Sequence, residues 1–499
     1  MILRAILLYT VSAIALRAHA LDGEIAVHDP STVIASSGRY YTYGTGNGLP
    51  ILASDDGWTW RRAGSLMSAL PDAKPGPEVL ARGGNNTWAP DVIRVGEKFF
   101  VYYAAPGTQP RAAIGLLVGR TLDPSSPEYK WEDGGPVAWS DGLEDANAID
   151  PGVLLDPTDG RLWLTYGSYF GYIRLVELDP RSGKRRDPRR APVNIAINSE
   201  ASVLIYRDGW YYLLVTHGSC CAGASSTYNI RMGRARKVTG PYLDNMGIDM
   251  REGGGKLFAG SRGRHIGPGH FGLLDLGQGV QKFSMHYEAD LDRGGISVLD
   301  IRPLLWRDGW PVAGDNLVAG TYTLESARTG TVLELAVQGA PVGGLRPRRP
   351  SGANGPPPEP RPGPPISDQV PAEVAANWPA ITDVRLAPAM LQAQQKWGIA
   401  PVGGAGGYPG APYFRITLAN TERSLTATAG GELNAMPFTG TAAQLWRIDQ
   451  LTDGTYRISP KAVPGTNESL ALSAVGSSMP TLAKFDALSD RQRWILGAP

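Results

Sequence analysis

Apolar and polar positions in the first three hundred residues alternate in short runs, with no helical period. Thr32–Ala35 is followed by the turn residues Ser36-Ser37-Gly38. Arg39–Tyr43, Leu49–Ser54 and Trp58–Arg62 come next, each set off by Gly or Asp turns. β-branched and aromatic runs of this length, punctuated in this way, predict strands. The plan recurs at Ala201–Tyr206, Trp210–Thr216 and Tyr228–Arg236, with Pro241-Tyr242-Leu243 as its last piece. Five copies of one phrase mark the recurrences: Asp29-Pro-Ser-Thr-Val-Ile, Ala89-Pro-Asp-Val-Ile, Asp150-Pro-Gly-Val-Leu, Glu200-Ala-Ser-Val-Leu and Gly267-Pro-Gly-His-Phe. A repeat of this size implies stacked or radially arranged units. Four-stranded units around a central channel make a β-propeller, here with five blades. A β-helix has shorter coils, and a sandwich gives no reason for carboxylates at matching positions. The propeller is therefore the expected fold.

The ends of the chain add two features. Arg4, the apolar run Ala5–Leu16 and Ala18-His19-Ala20 have the layout of a cleaved signal peptide over residues 1–20, which predicts a secreted or periplasmic protein. The run is too short to span a bilayer comfortably. Val342–Pro371 is rich in Pro, Arg and Gly, an extended composition that cannot bury a core. Around it lies a second repeat, marked by Gln395-Lys-Trp397, Gln444-Leu-Trp446 and Gln492-Arg-Trp494. The last two copies close units that open at Phe414 and Tyr456, and a similar opening at Tyr322 precedes the Pro-rich segment. That segment thus reads as an insertion within the first of three units. Three such units resemble the ricin-type β-trefoil, a module that often binds carbohydrate and whose Gln-x-Trp residues mostly hold the core. The expected organisation is a signal peptide (1–20), a propeller (21–316) and a trefoil (317–499) with its insertion at about 342–371. The hinge is expected near Gly314–Ala319.

A formal net charge of +1 gives no nucleic-acid or membrane footprint, and 63 glycines with 41 prolines suit a turn-rich all-β chain. The chain is read as a monomer. Its two cysteines, Cys220 and Cys221, are adjacent, so they form no disulfide framework and no zinc site by themselves. A free pair packed in a loop is the expectation.

Matching positions in radial units face one axis, so Asp29, Asp150 and Glu200 should converge there. Packed together they repel, and at least one should keep its proton near neutral pH. Hydrolysis of a glycosidic bond needs an acid to protonate the leaving oxygen and a second carboxylate to activate water or attack carbon. The residues alone leave a glycosidase and a metal site both open. Asp91, two positions beyond the slot that Ala89 occupies, reads as a turn or hydrogen-bonding residue. Trp88 reads as a sugar platform or core residue, and Asn147 as a sugar contact or turn cap.

His28-Asp-Pro-Ser31, Trp88-Ala-Pro-Asp91, Asn147-Ala-Ile-Asp-Pro-Gly152, Ser199-Glu-Ala-Ser202 and Gly267-Pro-Gly-His270 resemble the motifs of glycoside hydrolase family 43. Ser219-Cys-Cys-Ala-Gly and the residues after it, through Ile230, are similar to the family's endo-arabinanase branch. The resemblance implies an inverting five-bladed propeller enzyme with Asp29 as general base, Glu200 as general acid and Asp150 tuning and orienting Glu200. It implies a calcium ion in the central channel beside His270, and His28, which adjoins Asp29, is expected to line the substrate site with Trp88 and Asn147. The implied substrate is α-1,5-linked arabinan, a plant cell-wall polymer, cut internally. An exo-acting arabinofuranosidase or xylosidase and a non-catalytic sugar-binding propeller are the alternatives.

Overall fold

The computed structural model describes residues 21–143, 146–336 and 378–498. The expected signal peptide and Pro-rich insertion lie outside them. Five antiparallel four-stranded sheets follow one another through residue 313, each in simple meander order. Blade one comprises Ile34–Ser36, Arg39–Tyr43, Pro50–Ser54 and Thr59–Ser65. Blade two comprises Trp88–Val95, Lys98–Pro106, Ala112–Gly119 and Trp131–Ser140; blade three comprises Gly152–Leu155, Leu162–Tyr166, Tyr172–Leu178 and Val193–Ile197. Blade four comprises Glu200–Arg207, Trp210–His217, Asn229–Ala235 and Lys256–Ala259; blade five comprises His265–Asp275, Gln281–Asp290, Ile296–Arg307 and Trp310–Ala313. Apolar side chains fill the spaces between neighbouring blades, as in the cluster that joins Phe100 and Ile114 to Leu162 and Leu164. The sequence misplaced one outer strand. Blade four ends with Lys256–Ala259, while Tyr242 is buried and Leu243 makes only isolated bridges to Arg234 and Asp249.

The ring closes through the start of the described chain. Asp22–Gly23 pairs in parallel with Thr59–Trp60 of blade one. Ala26 bridges Val298 of blade five, and Leu299 N–H donates to Ile25 O at 2.9 Å. One segment therefore holds both sides of the seam.

Beyond the propeller, three four-stranded units succeed one another. They begin at Gly320–Ser326, Phe414–Leu418 and Tyr456–Pro460 and end at Trp397–Pro401, Trp446–Gln450 and Trp494–Gly497. The first and last strands of the three units pair in turn and close a six-stranded ring. Trp397, Trp446 and Trp494 are fully buried inside it. Each indole donates to a leucine carbonyl, of Leu333, Leu425 and Leu472, at 2.9, 3.0 and 2.9 Å. Gln395, Gln444 and Gln492 accept in the same way from Met390, Thr439 and Asp486 N–H at 2.8, 2.7 and 3.0 Å. The Gln-x-Trp repeat is thus a repeated hydrogen-bonding device that satisfies polar groups inside an apolar core.

A finger from this second domain, Gly407–Pro412, is pressed against the propeller seam. Gly407 N–H donates to Asp56 Oδ2 at 2.9 Å, and Gly410 N–H to Gly57 O at 3.0 Å. The fit needs glycine: a Cβ on Gly407 would come within 2.3 Å of Trp58 Cβ. Lys282 of blade five, buried, donates to Pro409 O beneath the finger. Burial lowers its ammonium pKa to about 8, despite the opposing charge of Asp449. Asp449 is itself buried between Arg447 and Arg457, 2.6 and 3.1 Å away. The finger touches blade one and blade five together and so braces the seam. A chain ending at Asn316 should keep all five blades yet expose Trp58 and Lys282. Calorimetry should show its melting midpoint roughly 5 °C or more below that of the whole propeller-plus-finger chain; an equal midpoint would show that the finger adds no stability.

Candidate active site

At or beside the head of each innermost strand, and midway along His265–Asp275 in blade five, one residue takes a left-handed backbone. These residues are Asp29, Ala89, Asp150, Ala201 and His270, with φ of 50°, 37°, 53°, 50° and 54°. In blades two, four and five the register shifts there, which marks a β-bulge that re-aims the side chains. This corrects the alignment of the repeats. The slot of Asp29 is filled in blade four by Ala201, one residue after Glu200, and in blade five by His270, not Gly267. Four of the five backbone amides at these positions donate to a side chain of the preceding blade. Ala89 donates to Thr45 Oγ1 at 2.8 Å, Ala201 to Asp150 Oδ2 at 3.1 Å, and His270 to Thr216 Oγ1 at 3.1 Å. Asp29 donates to His286 Nδ1 of blade five at 3.2 Å. Asp91 does bond as a structural residue: its carboxylate accepts Thr32 N–H of blade one and Val153 N–H of blade three at 3.1 and 2.9 Å.

The three acids are all buried, and each carboxyl has a distinct surrounding. Asp29 accepts Thr45 Oγ1–H at 2.5 Å and lies 2.8 Å from His28 Nδ1 and 3.0 Å from His270 Nδ1. Burial opposes its charge, but the His270 and His28 imidazoliums prevail and hold it well below the usual carboxylate range. His28 is bound at its other nitrogen by Glu288 Oε1 at 2.8 Å. With burial opposed by two carboxylates, its pKa rises to about 11. Glu200 accepts Ser168 Oγ–H at 2.9 Å and the Tyr228 hydroxyl. Burial raises its pKa, although both hydroxyls favour its anion and the Asp29 charge favours its acid form. Asp150 is raised well above its ordinary value, by burial first and by the Glu200 charge second. Asp150 and Glu200 thus share a tendency to keep a proton, while Asp29 stays ionised.

A further carboxylate, absent from the sequence expectations, supports this arrangement. Glu288 joins His28, His286 Nε2 at 3.3 Å and Cys221 N–H at 3.0 Å. Burial opposes its charge, but the bonds from His28 and His286 bring its pKa down to about 2. Burial pushes His286 down to about 4, so it is neutral and accepts Asp29 N–H at Nδ1. Cys220 and Cys221 are bonded to each other, contrary to the expected free pair. The loop that carries them is tied at its ends, with Ser219 N–H donating to Thr227 Oγ1 at 2.9 Å.

The expected substrate contacts divide. His28 sits between Asp29 and Glu288 and is partly exposed. Trp88 is half-buried against the core between blades two and three. Asn147 is fully buried with both amide atoms unpartnered, so the expectation of a sugar contact finds no exposed amide. Tyr169, in the turn between two strands of blade three, is exposed and feels the charges of Glu200 and Asp150.

His28, Asp29 and His286 place their ligand atoms within 4.8 Å of one another. Both ring nitrogens of His28 and of His286 already have partners, however. Nδ1 of His270 makes no aligned hydrogen bond. Calcium takes six to eight oxygen ligands, and Asp29 is the carboxylate that reaches His270. In its neutral form His270 would be the protein ligand of a largely hydrated ion, whose charge would then replace the imidazolium beside Asp29.

One ionised carboxylate and a proton-retaining pair, gathered at the axis of a propeller, are the parts of a glycoside hydrolase. Comparison with known proteins agrees. The family model for glycosyl hydrolases family 43 matches residues 24–311. The extracellular endo-α-(1→5)-L-arabinanase 1 of Bacillus subtilis is 33% identical over 57% of this chain and 87% of its own. The extracellular exo-α-(1→5)-L-arabinofuranosidase ArbA of Cellvibrio japonicus is 32% identical over 58% and 86%. The solved endo-arabinanase of Bacillus licheniformis, 33% identical, superposes with a TM-score of 0.53 over 59% of this chain and 99% of that one. The chain belongs to glycoside hydrolase family 43.

Tyr228→Phe tests the division of roles among the acids. The lost hydroxyl favours the Glu200 anion, so its removal should raise the Glu200 pKa further. An acid with a higher pKa stays protonated to higher pH, so the alkaline limb of the kcat/KM profile should move upward while kcat falls. A limb that stays in place or moves down would separate Glu200 from the proton-donating step.

Proposed function

We propose that the enzyme cleaves α-1,5-linked L-arabinan within the chain, with inversion at the anomeric carbon. The single observation that carries the mechanism is the opposite displacement of two carboxyl pKa values in one site, Asp29 downward and Glu200 upward. Asp29, kept ionised by His28 and His270, takes a proton from the attacking water. Glu200, kept protonated, gives its proton to the leaving oxygen. Asp150 accepts the N–H next to Glu200 and fixes that backbone, and burial pushes both carboxyls toward the acid form, so the pair keeps a proton. The names of the relatives supply the substrate and divide between endo and exo action. Exposed Trp139, Leu143 and Phe170 favour a polymer lying along the protein over a closed pocket for a chain end.

The second domain reads as a ricin-type β-trefoil that keeps the enzyme close to polysaccharide. Its closed six-stranded ring and threefold Gln–Trp bonding support this reading, and proximity raises effective substrate concentration without touching the chemistry. The leader at residues 1–20 and the extracellular relatives support export, where an exposed disulfide such as Cys220–Cys221 persists.

On debranched arabinan the wild-type enzyme should release intermediate oligomers before arabinose. Glu200→Gln and Asp29→Asn should each lose about 10²–10⁴-fold in turnover with unchanged melting. Arabinose as the sole early product would establish exo action, and near-normal turnover in either variant would remove that residue's role.

For the ion, metal analysis of purified protein should find stoichiometric calcium that His270→Ala loses while remaining folded. Absence of calcium from the wild type would return His270 to ion pairing with Asp29.

A further inference from the structure

The upper edge of blade two carries an aromatic side chain that the acids do not use. Trp139 ends the outermost strand, Trp131–Ser140, and is 45% exposed. The guanidinium carbon of Arg82 lies 3.8 Å from its ring centroid and covers one face. Both partners are held firmly. Arg82 ends the helix Pro77–Arg82, whose carbonyls at Ala81 and Arg82 accept bonds from Arg111 at 2.6 and 3.1 Å. Ser140, the next residue after Trp139, donates to Pro110 O and accepts Ala148 N–H at 2.9 Å. These bonds tie Trp139 to the loop that runs inward to Asp150. Trp88 stands at the inner end of the same blade, beside Ala89 at the axis. Inner and outer strands of a four-stranded blade are three spacings apart, roughly 14 Å, enough for several pentose rings.

We infer that Trp139, held by Arg82, is an outer subsite on which a sugar ring of the bound polymer stacks, remote from the bond being cut. A lone exposed tryptophan is unremarkable by itself. This one has a cation over one face and a hydrogen-bonded neighbour in Ser140, so its orientation is restricted and less rotamer entropy is lost when a ligand stacks on it. The apolar C–H face of a furanose is the complementary surface, and the guanidinium beside it can donate to ring hydroxyls. A trimer held across the cleavage point at the axis would leave this outer position unfilled. The residue therefore sets preference for long chains without taking part in the chemistry. The inference rests on the arabinan reading above.

The test compares debranched arabinan with α-1,5-arabinotriose. Trp139→Ala should lose about tenfold in kcat/KM on the polymer and keep its value on the trimer, while Trp139→Phe recovers most of the loss. In an inactive Glu200→Gln background, Trp139→Ala should weaken retention in arabinan-containing gels by about the same factor, which corresponds to roughly 1.4 kcal/mol. With the wild type active on both substrates, an unchanged polymer-to-trimer ratio would overturn the subsite alone. Equal losses on polymer and trimer would also overturn it, because they would mark damage transmitted to the loop before Asp150. A wild type inactive on both substrates would instead sink the arabinan reading, and the subsite with it.

Discussion

Five residues with φ near +50° at the heads of the innermost strands govern the rest of the propeller. A left-handed backbone at a non-glycine residue costs of the order of 1–3 kcal/mol and persists only where its surroundings compel it. Here the compulsion comes from the neighbouring blade, which supplies an acceptor to four of the five strained amides. The same bonds therefore tie neighbouring blades together and fix the backbone that carries Asp29 and His270, while Asp150 takes part as the acceptor for Ala201. Function and closure are not separable at these positions. Asp150 shows this directly, since one of its oxygens holds the next blade through Ala201 N–H while burial and the Glu200 charge favour its acid form.

The five blades, the six-residue phrase and the three acids were legible because hydrophobic alternation and turn residues survive in each repeat. The phase of the last two repeats was not. A β-bulge inserts a residue without changing composition, so Glu200 falls one place ahead of its apparent slot and His270 three places beyond Gly267. Tyr228, Ser168, His286 and Glu288 were missed because they lie outside the repeated phrase. A signal for two of them was present: Ser284, His286 and Glu288 alternate with apolar residues along Gln281–Asp290 and all are buried. A polar face on a buried strand demands partners, and here those partners are the site. Nothing in the spacing of Cys220 and Cys221 revealed their bond, because adjacency alone fits a free pair equally well.

The seam between blades one and five gathers unlike tasks in one place. His28 and Asp29 stand on one side of it, and His270, His286 and Glu288 on the other. The chain start pairs across it, and the finger of the second domain lies over both blades, with Lys282 buried beneath it. Lys282 belongs to the same strand as His286 and Glu288. Any shift of the finger therefore pulls on a strand that ends in the active site. The second domain is thus packed onto the propeller at the seam where the acids and histidines gather.

Electrostatic roles in the site follow from the hydrogen-bond donors that each acid meets. Asp29 faces imidazoles that can carry charge, and its anion is favoured strongly enough to overcome complete burial. Glu200 faces hydroxyls, which are weaker compensation, and burial prevails. Asp150 has a backbone amide and a neighbouring carboxylate, and its acid form is favoured most plainly. Exchanging the partners would exchange the roles even if the three acids stayed where they are. The mechanism is thus written less in the carboxylates than in His28, Tyr228, Ser168 and Glu288 around them. Glu288 stands one step behind Asp29: after Asp29 itself it is the second carboxylate that favours the charged form of His28, whose imidazolium in turn favours the Asp29 anion.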